Sequence, residues 1–188
     1  DRQLNLFVAN GHIDQLQDQG YDWKMTPLLF SYQGNQWVDC SAEAGPYFRQ
    51  KFIGRGVAAA DYDNDGDQDL IVVNQNDPAA LLRNESQGRH WLKVMLTGTA
   101  SNRNAIGAKV EVRQQGELFY QEIVGGSSYC SSSQYALFFG FGEVDSDCTL
   151  KIFWPGGQIE TREKVRVDQT LKFIEPAESG STRRQKLL

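Results

Sequence analysis

Asp61-Tyr62-Asp63-Asn64-Asp65-Gly66-Asp67-Gln68-Asp69 runs straight into Leu70-Ile71-Val72-Val73, and this junction decides how the 188-residue chain is read. Carboxylates stand at loop positions 1, 3, 5, 7 and 9. Alternate residues of a tight loop can turn inward together, so this spacing converges oxygens on one centre. Ca2+ is a hard cation that takes roughly 6–8 oxygen ligands. Gly66, at position 6, permits the sharp turn such a loop requires. A calcium loop held between helices needs a bidentate Glu at position 12, whereas position 12 here is Val72, inside an apolar run. The loop is therefore expected to enter a β-strand.

The candidate metal ligands are Asp61, Asp63, Asp65, Asp67 and Asp69, with Asp67 expected to contribute its main-chain carbonyl. The candidate ion is Ca2+. Mg2+, which demands octahedral geometry and keeps its waters, suits the loop less. The alternative is an acidic surface turn without metal, in which five carboxylates within nine residues repel one another. The expected role of the ion is structural. A catalytic ion needs an acid–base partner, and none lies nearby in sequence.

Outward from the loop, strand-type segments recur and helix signals are scarce. Strands are expected at Leu4–Val8, Leu28–Tyr32, Gln36–Asp39, Asp69–Val73, Leu81–Asn84 and Trp91–Leu96. Further strands are expected at Lys109–Arg113, Leu118–Val124, Ala136–Phe139, Thr149–Trp154, Ile159–Arg162 and Thr170–Ile174. Turn signals separate them at Gly34-Asn35, Gln115-Gly116, Gly125-Gly126 and Pro155-Gly156-Gly157. The expected fold class is all-β.

Leu4-Asn5-Leu6-Phe7-Val8-Ala9-Asn10 aligns with Gln68-Asp69-Leu70-Ile71-Val72-Val73-Asn74, an internal repeat at an offset of 64 residues. That offset is close to one four-stranded propeller blade with a long loop. At the same offset Asp1 falls on Asp65, so the chain is expected to begin inside an earlier copy of the acidic loop and to be a piece of a longer protein. Residues 1–87 are read as partial β-propeller blades carrying the calcium loop. A boundary is expected near Ser86–Arg89, residues 88–175 are read as a β-sandwich-like domain, and the polar tail 176–188 as disordered.

Composition narrows the function. The net charge is −5, with no basic stripe of the kind that binds phosphate backbones, so no nucleic-acid partner is expected. No apolar run approaches the roughly 18 residues needed for a membrane span. Cys40, Cys130 and Cys148 have no metal-ligand spacing, and Cys130 and Cys148 read equally as a disulfide or as reduced thiols. His12 and His90, the two histidines, read as structural or solvent-facing. Ser127-Ser128 and Ser131–Ser133 lack the G-x-S-x-G elbow and read as a loop. Asn84-Glu85-Ser86 fits the N-glycosylation pattern, and Trp37, Trp91 and Trp154 read as core or as a sugar-stacking surface.

The run Gly54-Arg55-Gly56-Val57-Ala58-Ala59-Ala60, the Asp61–Asp69 loop and Leu70–Asn74 together resemble an FG-GAP/VCBS propeller repeat. The second half resembles the ASPIC/UnbV domain through Ser101–Ala108, Gly125-Gly126-Ser127-Ser128-Tyr129, Phe138-Phe139-Gly140-Phe141-Gly142 and Ile152-Phe153-Trp154-Pro155-Gly156-Gly157. The combination resembles the cartilage acidic protein family. That resemblance implies a secreted, extracellular or periplasmic module that uses calcium in adhesion or ligand binding, and it carries no enzyme activity. The expected partner is a protein or polysaccharide. The alternative is an accessory domain of a secreted enzyme whose catalytic residues lie outside this chain.

Overall fold

The computed structural model describes residues 4–86 and 88–177. Most of the expected tail, 178–188, lies outside the described residues. The strands are β1 (Asn5–Val8), β2 (Leu28–Gln33), β3 (Gln36–Asp39), β4 (Gly54–Ala60), β5 (Asp69–Asn74), β6 (Ala80–Leu82) and β7 (His90–Thr97). They continue with β8 (Lys109–Gln114), β9 (Glu117–Glu122), β10 (Ala136–Gly142), β11 (Cys148–Phe153), β12 (Ile159–Val165) and β13 (Gln169–Ile174). Among the described residues, helical structure is confined to three short 3-10 turns at Gln17–Gln19, Ser41–Glu43 and Pro46–Arg49. The fold is all-β, built of several antiparallel sheets, with no closed propeller among the described residues.

Two hairpins show how local sequence sets register. Gly34-Asn35 joins β2 to β3 with both residues at positive φ, 52° and 67°, and Gln115-Gly116 joins β8 to β9 at 49° and 85°. Two left-handed residues in a two-residue loop match the twist of the flanking strands.

The chain divides into two compact units. Of the described residues, unit 1 comprises 4–86, 88–92, 125–134 and 138–145, and unit 2 comprises 93–124, 135–137 and 146–177. Strands β7 and β10 contribute residues to both.

Unit 1 contains two three-stranded antiparallel sheets, β1-β2-β3 and β4-β5-β6. The repeat deduced from sequence places β1 on β5, and each pairs with the antiparallel strand that follows it: Leu6 opposes Phe30, and Ile71 opposes Leu81. Each sheet has three strands where a complete blade would have four. Ile53 and Val72 are fully buried. Phe7 of β1 meets Phe48 edge-on at 5.7 Å, and Tyr47 stacks on Phe52 at 4.5 Å. Tyr47 Oη also donates to Asn74 Oδ1 of β5 at 3.2 Å. At the free edge of β4, Ala59 N donates to Ser133 Oγ (3.0 Å) and Ala59 O accepts from Gln134 N (2.9 Å).

Unit 2 holds the four-stranded sheet β12-β11-β8-β9. Alternation decides its buried face: Val110 and Val112 of β8 and Leu150 and Ile152 of β11 are fully buried, while Lys109 and Arg113 are exposed. Strands β10, β7 and β13 form a further sheet, in that order. The carboxylate of Glu175, just past β13, is buried. Its Oε2 accepts from Thr99 N, Ala100 N, Ser101 N and Ser101 Oγ at 2.8–3.0 Å. Burial raises its pKa, but these donors together outweigh burial and hold the carboxyl below its ordinary value.

Candidate metal centre

The acidic loop connects β4 to β5, and the pairing of Ala60 with Asp69 closes its base. Three features shape it. Asn64 and Gly66 take positive φ, 62° and 98°. Asp67 N donates to Asp65 Oδ1 at 3.0 Å, a local turn that short acidic side chains favour. Gly66 also lies close against the indole of Trp91: a Cβ built there would come within 2.0 Å of the ring. Glycine is therefore required twice at this position, for φ and for the close approach.

The loop brings Asp61, Asp63 and Asp65 together, with one carboxylate oxygen from each within 4.8 Å of the others. Oxygens on a sphere of Ca–O radius, about 2.4 Å, are separated by at most about 4.8 Å, so the three meet the separation that sharing one ion requires. Asp61 is buried, Asp63 half-buried and Asp65 exposed, which opens the cluster to solvent on one side. Asp61 N accepts support from outside the loop, donating to Gln134 Oε1 at 3.3 Å.

Asp67 and Asp69 stand apart from that group. Both oxygens of Asp69 are engaged with backbone: Oδ2 accepts from Tyr62 N and Oδ1 from Asn84 N, each at 2.8 Å. Asp69 is buried and clasps the start of the loop to the end of β6. The Asp67 carboxyl is pushed up by burial first and then by the charge of Asp65.

Arg83, which follows β6, supplies a positive charge that spacing alone did not reveal. Its Nε lies 2.7 Å from Asp63 Oδ2, and its Nη2 lies 3.9 Å from Asp65 Oδ2. The pairing of Leu70 with Leu82 is the signal that finds it, because one further step along the hairpin sets Arg83 beside Asp69. Arg83 offsets part of the repulsion within the loop. Asp63 Oδ1 remains buried with no hydrogen-bond partner, an acceptor suited to a cation. The Asp61, Asp63 and Asp65 cluster thus fits a hard metal ion.

Other residues singled out from sequence fall elsewhere. His12 Nδ1 is held by the backbone of Asp14, 2.8 Å from its carbonyl. Ser133 Oγ binds Ala59 N and Ser127 Oγ, and Ser131 Oγ donates to Tyr129 O, so these serines serve loop structure. Trp154 is buried, Trp91 underlies Gly66, and Trp37 is exposed beside Tyr32. Cys40, Cys130 and Cys148 are free thiols, and burial pushes the Cys148 thiol up to about 11.

Residues 53–91, which contain the whole of this site, match the sequence model of the FG-GAP repeat, and residues 98–180 match that of ASPIC and UnbV. The chain joins an FG-GAP repeat to an ASPIC/UnbV region. It is similar to cartilage acidic protein 1 of Xenopus tropicalis, 34% identical over 135 residues that cover 68% of this chain and 21% of the relative. Cartilage acidic protein 1 of Mus musculus is 32% identical over 139 residues (71% and 21%), and that of Homo sapiens 30% over 135 (68% and 20%). The chain spans about a fifth of the length of these relatives. No helix among the described residues is long and apolar enough to cross a membrane.

Proposed function

We propose that this FG-GAP–ASPIC/UnbV chain is a calcium-stabilised, non-catalytic binding module of a secreted, matrix-type protein. The observation that carries the reading is the convergence of Asp61, Asp63 and Asp65, with Asp63 Oδ1 buried and lacking a hydrogen-bond partner. Asp61, Asp63 and Asp65 would hold the ion directly. When bound, Ca2+ would supply a multivalent cross-link within the β4–β5 loop. Asp69 holds the loop's ends in place, and Gly66 seats its tip on Trp91.

The secreted, extracellular assignment rests on the cartilage acidic proteins to which two-thirds of the chain is similar, and on a net charge of −5 that accords with their name. Adhesion to a protein or polysaccharide ligand is the corresponding role. The non-catalytic reading is supported by His12 Nδ1 and the Oγ atoms of Ser127, Ser131 and Ser133, which are engaged by neighbouring loop groups. Calorimetric titration of chelator-stripped protein with CaCl2 and with MgCl2 tests the metal assignment. One calcium site per chain, with Mg2+ binding more weakly, is the expected result. Absence of calcium binding at millimolar concentration would overturn it.

A further inference from the structure

The acidic loop begins where β4 ends, and β4 lies at the edge of the sheet β4-β5-β6. Backbone groups along an antiparallel strand point alternately toward its partner and away from it. Ala60 pairs with Asp69 of β5, while Ala59 turns its N–H and C=O to the other side. The N–H of Asp61 turns the same way as that of Ala59, and both need acceptors from outside the sheet.

Those acceptors come from 74 and 73 residues further along the chain. Ala59 N donates to Ser133 Oγ at 3.0 Å, Gln134 N donates to Ala59 O at 2.9 Å, and Asp61 N donates to Gln134 Oε1 at 3.3 Å. Gln134 thus holds the entry to the loop with both its main chain and its side chain. The contact extends back along β4. Gly56 is buried, and a Cβ there would collide with Ser131 Oγ and come within 3.0 Å of Tyr129 O. Ser133 Oγ is braced in turn by Ser127 Oγ at 2.8 Å. Residues 125–134 belong to unit 1 together with the metal loop, although they lie inside the stretch 98–180 that matches ASPIC and UnbV. Within the loop, Tyr62 N is held by Asp69 and Asp67 N by Asp65. Asp61, by contrast, is a candidate ligand whose N–H is fixed from outside the FG-GAP match at 53–91.

We infer that Gln134 is a positioning residue of the metal centre, so that the ASPIC/UnbV stretch sets the calcium affinity of the FG-GAP repeat. Gln134 has this role only if the loop holds calcium, the reading proposed above. An ion can bind only to ordered ligands, and order already imposed by Gln134 is not subtracted from the binding free energy. Coupling of this kind is reciprocal, so bound calcium also tightens the hold of residues 125–134 on β4.

Calorimetric titration of the chelator-stripped full chain with CaCl2, on wild type, Gln134→Leu and Gln134→Glu, tests this role. Losing one neutral hydrogen bond that preorganises a ligand weakens binding about five-fold, and Gln134→Leu should raise the Kd by that factor. Gln134→Glu keeps an acceptor for Asp61 N and should restore wild-type affinity or better it. A merely structural Gln134 would lower Tm in chelator and leave the Kd unchanged, and that result would overturn the inference. So would a Gln134→Glu as weak as Gln134→Leu. Amide hydrogen exchange on the wild type depends on no variant folding. Calcium should slow exchange of the Gln134 N–H, which is bonded to Ala59 O, by about the same factor, and equal exchange with calcium and with chelator would overturn the inference. A wild type that binds no calcium defeats the metal reading and this role with it, whereas equal affinities of wild type and Gln134→Leu defeat this role alone.

Discussion

Replacing Asp69 by Ala separates holding the loop from holding the ion. The substitution removes the acceptor of two backbone bonds, from Tyr62 N and Asn84 N, both at 2.8 Å. Hydrogen bonds to a charged group contribute about 1.5–3 kcal/mol each. The lower end applies, because the Tyr62 side chain is exposed and water can enter the space left behind. The expected loss is therefore about 3 kcal/mol, which for a chain of this size lowers Tm by roughly 6–12 °C. Asp63→Ala in the same chelator-containing buffer removes only a pair with Arg83, whose guanidinium side is exposed, worth about 1 kcal/mol, and relieves repulsion within the loop. Thermal unfolding in chelator should therefore show a large drop for Asp69→Ala and almost none for Asp63→Ala. Equal shifts for the two variants in chelator would refute the division of labour between these carboxylates.

Other perturbations have equally definite outcomes. Glu175 has a depressed pKa in the fold, so its stabilisation is present above its ordinary value of 4.5 and is lost as pH falls below it. Glu175→Gln should flatten that acid-side loss of stability in urea titrations between about pH 5 and 3. Gly66→Ala forces a Cβ into the Trp91 indole and places a side chain at φ 98°, so it should weaken calcium binding and change Trp fluorescence together. Arg83→Gln removes a competing cation from Asp63 and should tighten calcium binding in a titration while slightly lowering stability in chelator.

The acidic loop was legible because its chemistry is periodic: Asp61, Asp63 and Asp65 stand two apart, and the structure gathers all three. Asp69 continues the period but meets two backbone N–H groups, a competition that spacing cannot display. Strand β4 was not among the expected strands, since Gly54-Arg55-Gly56-Val57-Ala58-Ala59-Ala60 is poor in β-branched and aromatic residues. It is extended because β5 pairs with it on one side and Gln134 caps the other, both tertiary effects. Arg83 and Trp91 reach the loop through register and packing, 14 and 22 residues beyond Asp69. The internal repeat aligned β1 with β5; each pairs with the antiparallel strand that follows it, β2 and β6, but β5 is central in its sheet and β1 lies at an edge.

Thermal unfolding of the wild type and Asp63→Ala, each with calcium, with magnesium and with chelator, tests the central claim most directly. A ligand that binds the folded state at about 100 times its Kd adds about 2.7 kcal/mol. The account predicts that calcium raises the wild-type Tm by several degrees, that magnesium raises it less, and that Asp63→Ala abolishes the rise. A wild-type Tm that is the same in calcium and in chelator would contradict it.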